Sequence, residues 1–195
     1  MLKHPDGVIL VDTGIGEPDE LLRDWRIVNR RVADALEEID LSPIDVSLVI
    51  NTHLHFDHCG QNAVFVHAPF FVQRAEFDRA RREDPDTAGW FDLAGARFEL
   101  LDGDSEIVPG VRVIATPGHT VGHQSVVVDV GGNEEVMIGD AAYTSQVFAD
   151  PDVGVALPGQ AADEPSWRES LQRVRHLAAS RVHFCHDTAV AYGHS

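Results

Sequence analysis

Cysteine is scarce in this chain: only Cys59 and Cys185 occur among 195 residues, in no CxxC pattern. A disulfide framework is therefore excluded as the source of stability, and a reducing, cytoplasmic setting is expected. Basic residues are also few. Fifteen Lys and Arg stand against 32 Asp and Glu, for a net charge of −17. Such a chain repels nucleic-acid phosphates and anionic lipid surfaces, so a small molecule is the expected partner, with no nucleic acid and no membrane. No apolar run approaches the roughly 20 residues of a membrane-spanning helix. The opening Met1-Leu2-Lys3-His4-Pro5-Asp6 lacks the apolar stretch of a secretory leader. Low-complexity segments, linkers and short repeats are absent, and residues 1–195 read as one domain. The 44% hydrophobic content is enough for a sizeable core.

The hydropathy pattern alternates strands and helices. Val8-Ile9-Leu10-Val11 reads as a strand ended by Asp12-Thr13-Gly14. Pro18 opens a helix to about residue 40, with Leu21, Leu22, Trp25, Val28, Val32, Leu36 and Ile39 as its core-facing stripe. Val46–Ile50 and Phe70–Val72 are strands, and Gln73–Glu83 is a polar, Arg-rich surface helix. Residues 84–95 read as a loop whose Trp90 and Phe91 cap the core. Strands follow at 98–101, 111–115, 125–130 and 135–138. A helix beginning at Pro165 carries Trp167, Leu171, Val174 and Leu177, and a last strand spans 182–185. This order fits mixed sheets with helices on their outer faces, an α/β layered fold.

Against this background one stretch stands out: His53-Leu54-His55-Phe56-Asp57-His58, directly after the strand at 46–50. His53 and His55 are two apart and point the same way on extended backbone. Asp57 and His58 fall in the turn and address a second point nearby. Imidazole and carboxylate are good ligands for a divalent metal such as zinc. Further candidates stand at strand exits: His119 in Thr116-Pro117-Gly118-His119-Thr120, Asp140 after Gly139, and His186 after the last strand. Position is what they share. His4, His67, His176, His183 and His194 lack that context and read as non-ligands, whereas His123 is placed to orient a ligand through a hydrogen bond.

The set His53-x-His55-x-Asp57-His58, His119, Asp140 and His186, with Asp12-Thr13-Gly14 and Thr116–His123, resembles the metallo-β-lactamase superfamily over nearly the whole chain. Within it the chain is most similar to the N-acyl-homoserine lactone lactonases, the quorum-quenching enzymes. Val72-Gln73-Arg74-Ala75-Glu76, His119–Ser125 and Asp140-Ala141-Ala142-Tyr143 carry that narrower resemblance. It implies an αββα sandwich of two mixed sheets with outer helices. That family has further strands before the segment matching Val8–Val11, so the first sheet is expected to be short of N-terminal edge strands. It also implies two Zn2+ ions, or other divalent metals. His53, His55 and His119 would hold one; Asp57, His58 and His186 would hold the other; Asp140 would bridge them. A homodimer is among the assemblies that the resemblance implies.

The implied reaction is hydrolysis of the lactone ring by a metal-bridging hydroxide. Two metals about 3.5–4 Å apart lower the pKa of bound water to roughly 7 and polarise the carbonyl. Tyr143 would donate to the oxygen that gains charge, and Asp57 would pass a proton to the leaving group. Asp12 would hold a ligating imidazole in the right tautomer, and Phe56 would wall the pocket. Cys59 and Cys185 read as small buried residues rather than thiolate ligands. Three alternatives stay open: another lactonase, such as one acting on a pyridoxine-derived lactone; a thioesterase of the glyoxalase II type; and an inactive, truncated remnant.

Overall fold

A computed structural model describes residues 1–16 and 26–192. The chain forms two compact units. The first comprises Met1–Val72 and Phe77–Leu100, and the second comprises Gln73–Glu76 and the chain from Leu101 on. Strands and helices alternate in two mixed sheets, an α/β architecture.

The first sheet has five strands in the order β1 (Leu2–His4), β2 (Gly7–Val11), β3 (Val46–Ile50), β4 (Pro69–Gln73) and β5 (Arg97–Leu101). β1 and β2 form an antiparallel hairpin, while β2 pairs parallel to β3 and β3 parallel to β4. The apolar, β-branched composition of β2 and β3 suits strands buried on both faces. Ile9, Val49 and Ile50 are indeed all but inaccessible. One edge strand, of three residues, precedes Val8 in this sheet. Its three residues carry no alternation long enough to register as a strand.

The helix expected from Pro18 to residue 40 is mostly not formed in the described part. Residues 17–25, with Leu21, Leu22 and Trp25, lie outside it. Residues 27–31 are irregular, and α1 covers only Val32–Glu37. Of the expected stripe, Leu36 is buried, whereas Val28 and Ile39 are exposed. Tertiary contacts set this boundary: the Gln61 side chain accepts from the backbone N–H of Val32 (2.8 Å) and donates to the carbonyl of Arg30 (3.2 Å). That amide braces an extended approach to α1 where periodicity suggested helix.

After β3 come the one-turn helix α2 (Phe56–Cys59), then α3 (Arg74–Glu83) and α4 (Ala88–Phe91). α3 is less of a surface helix than its Arg-rich sequence suggests, since Glu76, Arg79 and Ala80 are buried. α4 and a preceding 3-10 turn (Pro85–Thr87) occupy the segment read as loop, and Phe91 is buried with Leu54, Cys59 and Val72.

The second sheet runs β11-β10-β9-β8-β7-β6, with β6 at Ser105–Val108, β7 at Val111–Ala115, β8 at Gln124–Val130, β9 at Asn133–Met137, β10 at Arg181–His183 and β11 at Val190–Tyr192. All its pairings are antiparallel except β9 with β10. β6 and β11 were not anticipated, being short and polar or terminal. β10 ends two residues early, at His183, and that leaves Cys185 exposed instead of buried in a strand. Between β9 and β10 lie α5 (Ser145–Ala149), α6 (Pro151–Val155) and α7 (Glu164–His176). Trp167, Leu171 and Val174 of α7 pack with Ile114, Val127, Val136 and Ile138 of the sheet. The Trp167 indole N–H donates to the carbonyl of Ala141 (2.7 Å), so this core is tied to the turn that carries Asp140.

Among the described residues no helix is long and apolar enough to cross a membrane. Gly118 is where the chain passes closest to the backbone of α7. Its φ is +129°, and a Cβ there would lie 2.3 Å from the backbone of Trp167. Gly118→Ala is expected to destabilise the protein by about 2–4 kcal/mol, from overpacking and left-handed strain together, measured by urea denaturation.

Candidate functional site

The first unit gathers its polar side chains where β2 and β3 end. The parallel pairing of β2 with β3 brings Asp12 beside Thr52, whose backbone N–H and hydroxyl both donate to the Asp12 carboxylate at 2.7 Å. His58, on α2, places Nδ1 2.8 Å from Asp12 Oδ2. His53 Nδ1 lies 3.1 Å from Thr52 Oγ1. Because the Thr52 hydroxyl spends its proton on Asp12, its oxygen accepts from His53 Nδ1–H. One carboxylate thus sets both imidazoles in the tautomer that leaves Nε2 with its lone pair.

The outward-facing nitrogens of these residues cluster. His53 Nε2 and His55 Nδ1 are 3.0 Å apart, the His53 and His58 rings are 4.1 Å apart, and Asp57 Oδ2 is 3.7 Å from His58 Nε2. His53 and His58 are buried, and Asp57 and Phe56 are half-buried. Behind them, Thr13, Asn51 and Asn62 form a buried hydrogen-bonded set that pins the loop after β2 to the loop after β3.

The second unit does the same with strand exits. Asp140 follows β9 in a 3-10 turn and is only 3% exposed at its side chain. Its Oδ2 lies 3.5 Å from His119 Nε2, and its Oδ1 lies 3.3 Å from His186 Nε2. Two imidazoles therefore address the two oxygens of one buried carboxylate. The backbone N–H of Asp140 donates to His123 Nε2 (2.9 Å), so His123 carries its proton on Nδ1, which faces the Thr116 hydroxyl and carbonyl (2.9 and 3.2 Å). His123 thus acts on the backbone of Asp140.

Tyr143 stands between the two imidazoles, its ring centroid 5.6 Å from that of His119 and 5.1 Å from that of His186. Asp187, next to His186, accepts from Ser145 N–H and Oγ–H and from Ala189 N–H. These donors hold its carboxyl down to about 2, the Ala189 N–H first among them.

Each unit therefore brings its own candidates together: His53, His55, Asp57 and His58 in the first; His119, Asp140, His186 and Tyr143 in the second. Nitrogen and carboxylate donors in these sets match the chemistry of sites for divalent cations. His67 and His183, set aside on sequence grounds, instead contact the Val46 carbonyl (3.2 Å) and Glu135 (2.9 Å). His194 lies outside the described residues. Thr52 and Gln160 were missed. Thr52 adjoins the histidine motif and was findable by that adjacency; Gln160 sits in no motif.

Comparison with known proteins gives the family. Residues 1–186 match the model of the metallo-beta-lactamase superfamily. The chain is 30% identical over 206 residues to an N-acyl homoserine lactonase of a Bacillus species, covering 96% of this chain and 79% of the relative. It is 29% identical over 220 residues to the N-acyl homoserine lactonase AttM of Rhizobium radiobacter, covering all of this chain and 80% of that one. Among solved structures, an N-acyl homoserine lactone hydrolase with the product N-hexanoyl-L-homoserine at its catalytic metal centre superposes with a TM-score of 0.78. That pair shares 28% identity, over 94% of this chain and 78% of the other.

Two outcomes follow from the local geometry. Asp12→Ala is expected to weaken metal binding about 10- to 100-fold, read by chelator competition. Because the folded carboxyl of Asp187 is held below its ordinary value, its anchoring is complete above the usual carboxylate range and is lost as pH falls through about 2. Asp187→Asn should accordingly remove part of the acid dependence of unfolding, measured by circular dichroism between pH 2 and about 5. With its histidine motif, its buried aspartate and its match over residues 1–186, this chain belongs to the metallo-β-lactamase superfamily.

Proposed function

We propose that this chain is a metal-dependent hydrolase that opens the lactone ring of N-acyl-homoserine lactones. The observation that carries the reading is Tyr143, a phenol beside both imidazoles that address Asp140. Lactonase relatives that match nearly the whole chain support it.

In this reading His53, His55 and His119 would hold one cation, Asp57, His58 and His186 would hold a second, and Asp140 would serve both. Imidazole with carboxylate suits Zn2+ and other divalent first-row ions. When bound, such a pair of cations supplies a water-derived nucleophile near neutral pH and polarises the ring carbonyl. The chain's own residues do the rest. Asp12 and Thr52 keep the Nε2 lone pairs of His53 and His58 available. Tyr143 donates its O–H to the carbonyl oxygen as negative charge grows there. Asp57, 27% exposed at its side chain and so able to exchange protons with solvent, protonates the ring oxygen as the acyl–oxygen bond breaks. Water is added across that bond, and the product carries one carboxylate and one hydroxyl.

The test is ring opening of hexanoyl- and decanoyl-homoserine lactone by zinc-loaded protein, followed by base uptake, beside a thioester and a pyridoxine-derived lactone. The homoserine lactones are expected to be the preferred substrates. Folded, metal-loaded protein that hydrolyses only the thioester would overturn the reading. Tyr143→Phe should lower kcat by about 10²-fold with little change in KM. Asp140→Asn should reduce bound zinc from about two per chain, read by elemental analysis.

A further inference from the structure

We infer that Gln160 is a positioning residue that holds His119, Asp140 and Tyr143 in mutual register; the inference rests on the roles given to those three above. Gln160 lies between α6 and α7 and is fully buried. Its side-chain amide is used at both ends. Nε2 donates to the backbone carbonyl of Asp140 (2.7 Å), and Oε1 accepts from the backbone N–H of Tyr143 (2.9 Å). Its own carbonyl faces His119 Nδ1 at 3.4 Å.

That last contact decides the state of His119. A carbonyl only accepts, so Nδ1 carries the proton and Nε2, the nitrogen facing Asp140, keeps its lone pair. One residue thereby sets the tautomer of an imidazole, the backbone of the shared carboxylate and the backbone of the phenol. Asp140 and Tyr143 share the segment after β9, whereas His119 comes from the exit of β7, so no local element relates the imidazole to the other two.

The residue is itself held in place. The carbonyl of Gly118, immediately before His119, accepts from the N–H groups of both Ala162 (2.8 Å) and Asp163 (2.9 Å). The loop carrying Gln160 is thus clamped to the turn carrying His119. Next to it, Gly159 has a φ of +82°, and a Cβ there would stand 3.1 Å from the Tyr143 hydroxyl. The glycine leaves the phenol its room while the glutamine anchors its backbone. Water cannot substitute for the amide at a fully buried position without a cavity to hold it.

Gln160→Met keeps length, volume and the main-chain carbonyl but removes both amide contacts. The test loads wild type and variant with Co2+ and reads the visible absorption of the bound ion, its affinity by chelator competition, and kcat and KM for hexanoyl-homoserine lactone. Gln160→Met is expected to shift the Co2+ spectrum, to bind the ion about 10-fold or more weakly, and to lower kcat about 10-fold with KM within about twofold. A folded variant with the wild-type spectrum and affinity overturns the inference, whatever its thermal midpoint, because a merely structural contact moves only that midpoint. Should Gln160→Met fail to fold, Gln160→Glu is read by the same spectrum. It retains the acceptor for Tyr143 and loses the donor to Asp140, and an unchanged spectrum again overturns the inference. If wild type opens no lactone while the spectra differ as stated, the lactone reading falls and the positioning role stands.

Discussion

The burial of one carboxylate governs the second unit. Taking Asp140 out of water costs several kcal/mol unless that charge is matched, and the unit answers from every side. His119 and His186 face its two oxygens, His123 accepts from its N–H, and Gln160 donates to its carbonyl. Backbone and side chain are restrained independently, so neither can relax to relieve the other. A charge held this way attracts cations strongly, because solvent is excluded and the surrounding dipoles cannot reorient. The core serves the same end: α7 packs Trp167 beneath the turn and hydrogen-bonds Ala141, the residue after the carboxylate.

The first unit reaches a comparable result by a relay. Asp12 never meets His53 directly; Thr52 passes the constraint on, and His58 receives it at first hand. A single acidic group therefore sets two imidazoles. The parallel pairing of β2 and β3 makes this economical, since it delivers both loops to the same end of the sheet. Rings on such a scaffold need no further reorganisation to present lone pairs, and catalytic centres gain from that kind of preorganisation.

The histidine motif and the strand exits were legible because each lies in sequence next to a strong apolar run, and a sheet delivers such exits to a common edge. Asp12 and His123 were legible for the same reason. Gln160 was not: its importance comes from two backbone groups 17 and 20 residues away, and nothing in its neighbours' composition marks it. Among the described residues, the helix expected before Val32 is absent for a related cause. Periodicity reported an apolar stripe, but the side chain of Gln61, some thirty residues on, binds the backbone at residues 30 and 32 and holds it extended. Short elements such as β1, β6 and β11 owe their existence to a neighbouring strand rather than to their own residues.

Asp12 adopts a left-handed backbone, with φ of +55°. An L-residue with a side chain sits there at a cost on the order of 1 kcal/mol, which glycine would not incur. The molecule tolerates that loss because the position must carry an acid. Glycine there would relax the turn but strand three donors, the Thr52 N–H and hydroxyl and the His58 imidazole, at about 1–3 kcal/mol each, so selection for heat resistance alone would still keep the acid. Position 12 is thus where durability and chemistry ask for the same side chain, and a strained backbone is the toll of both.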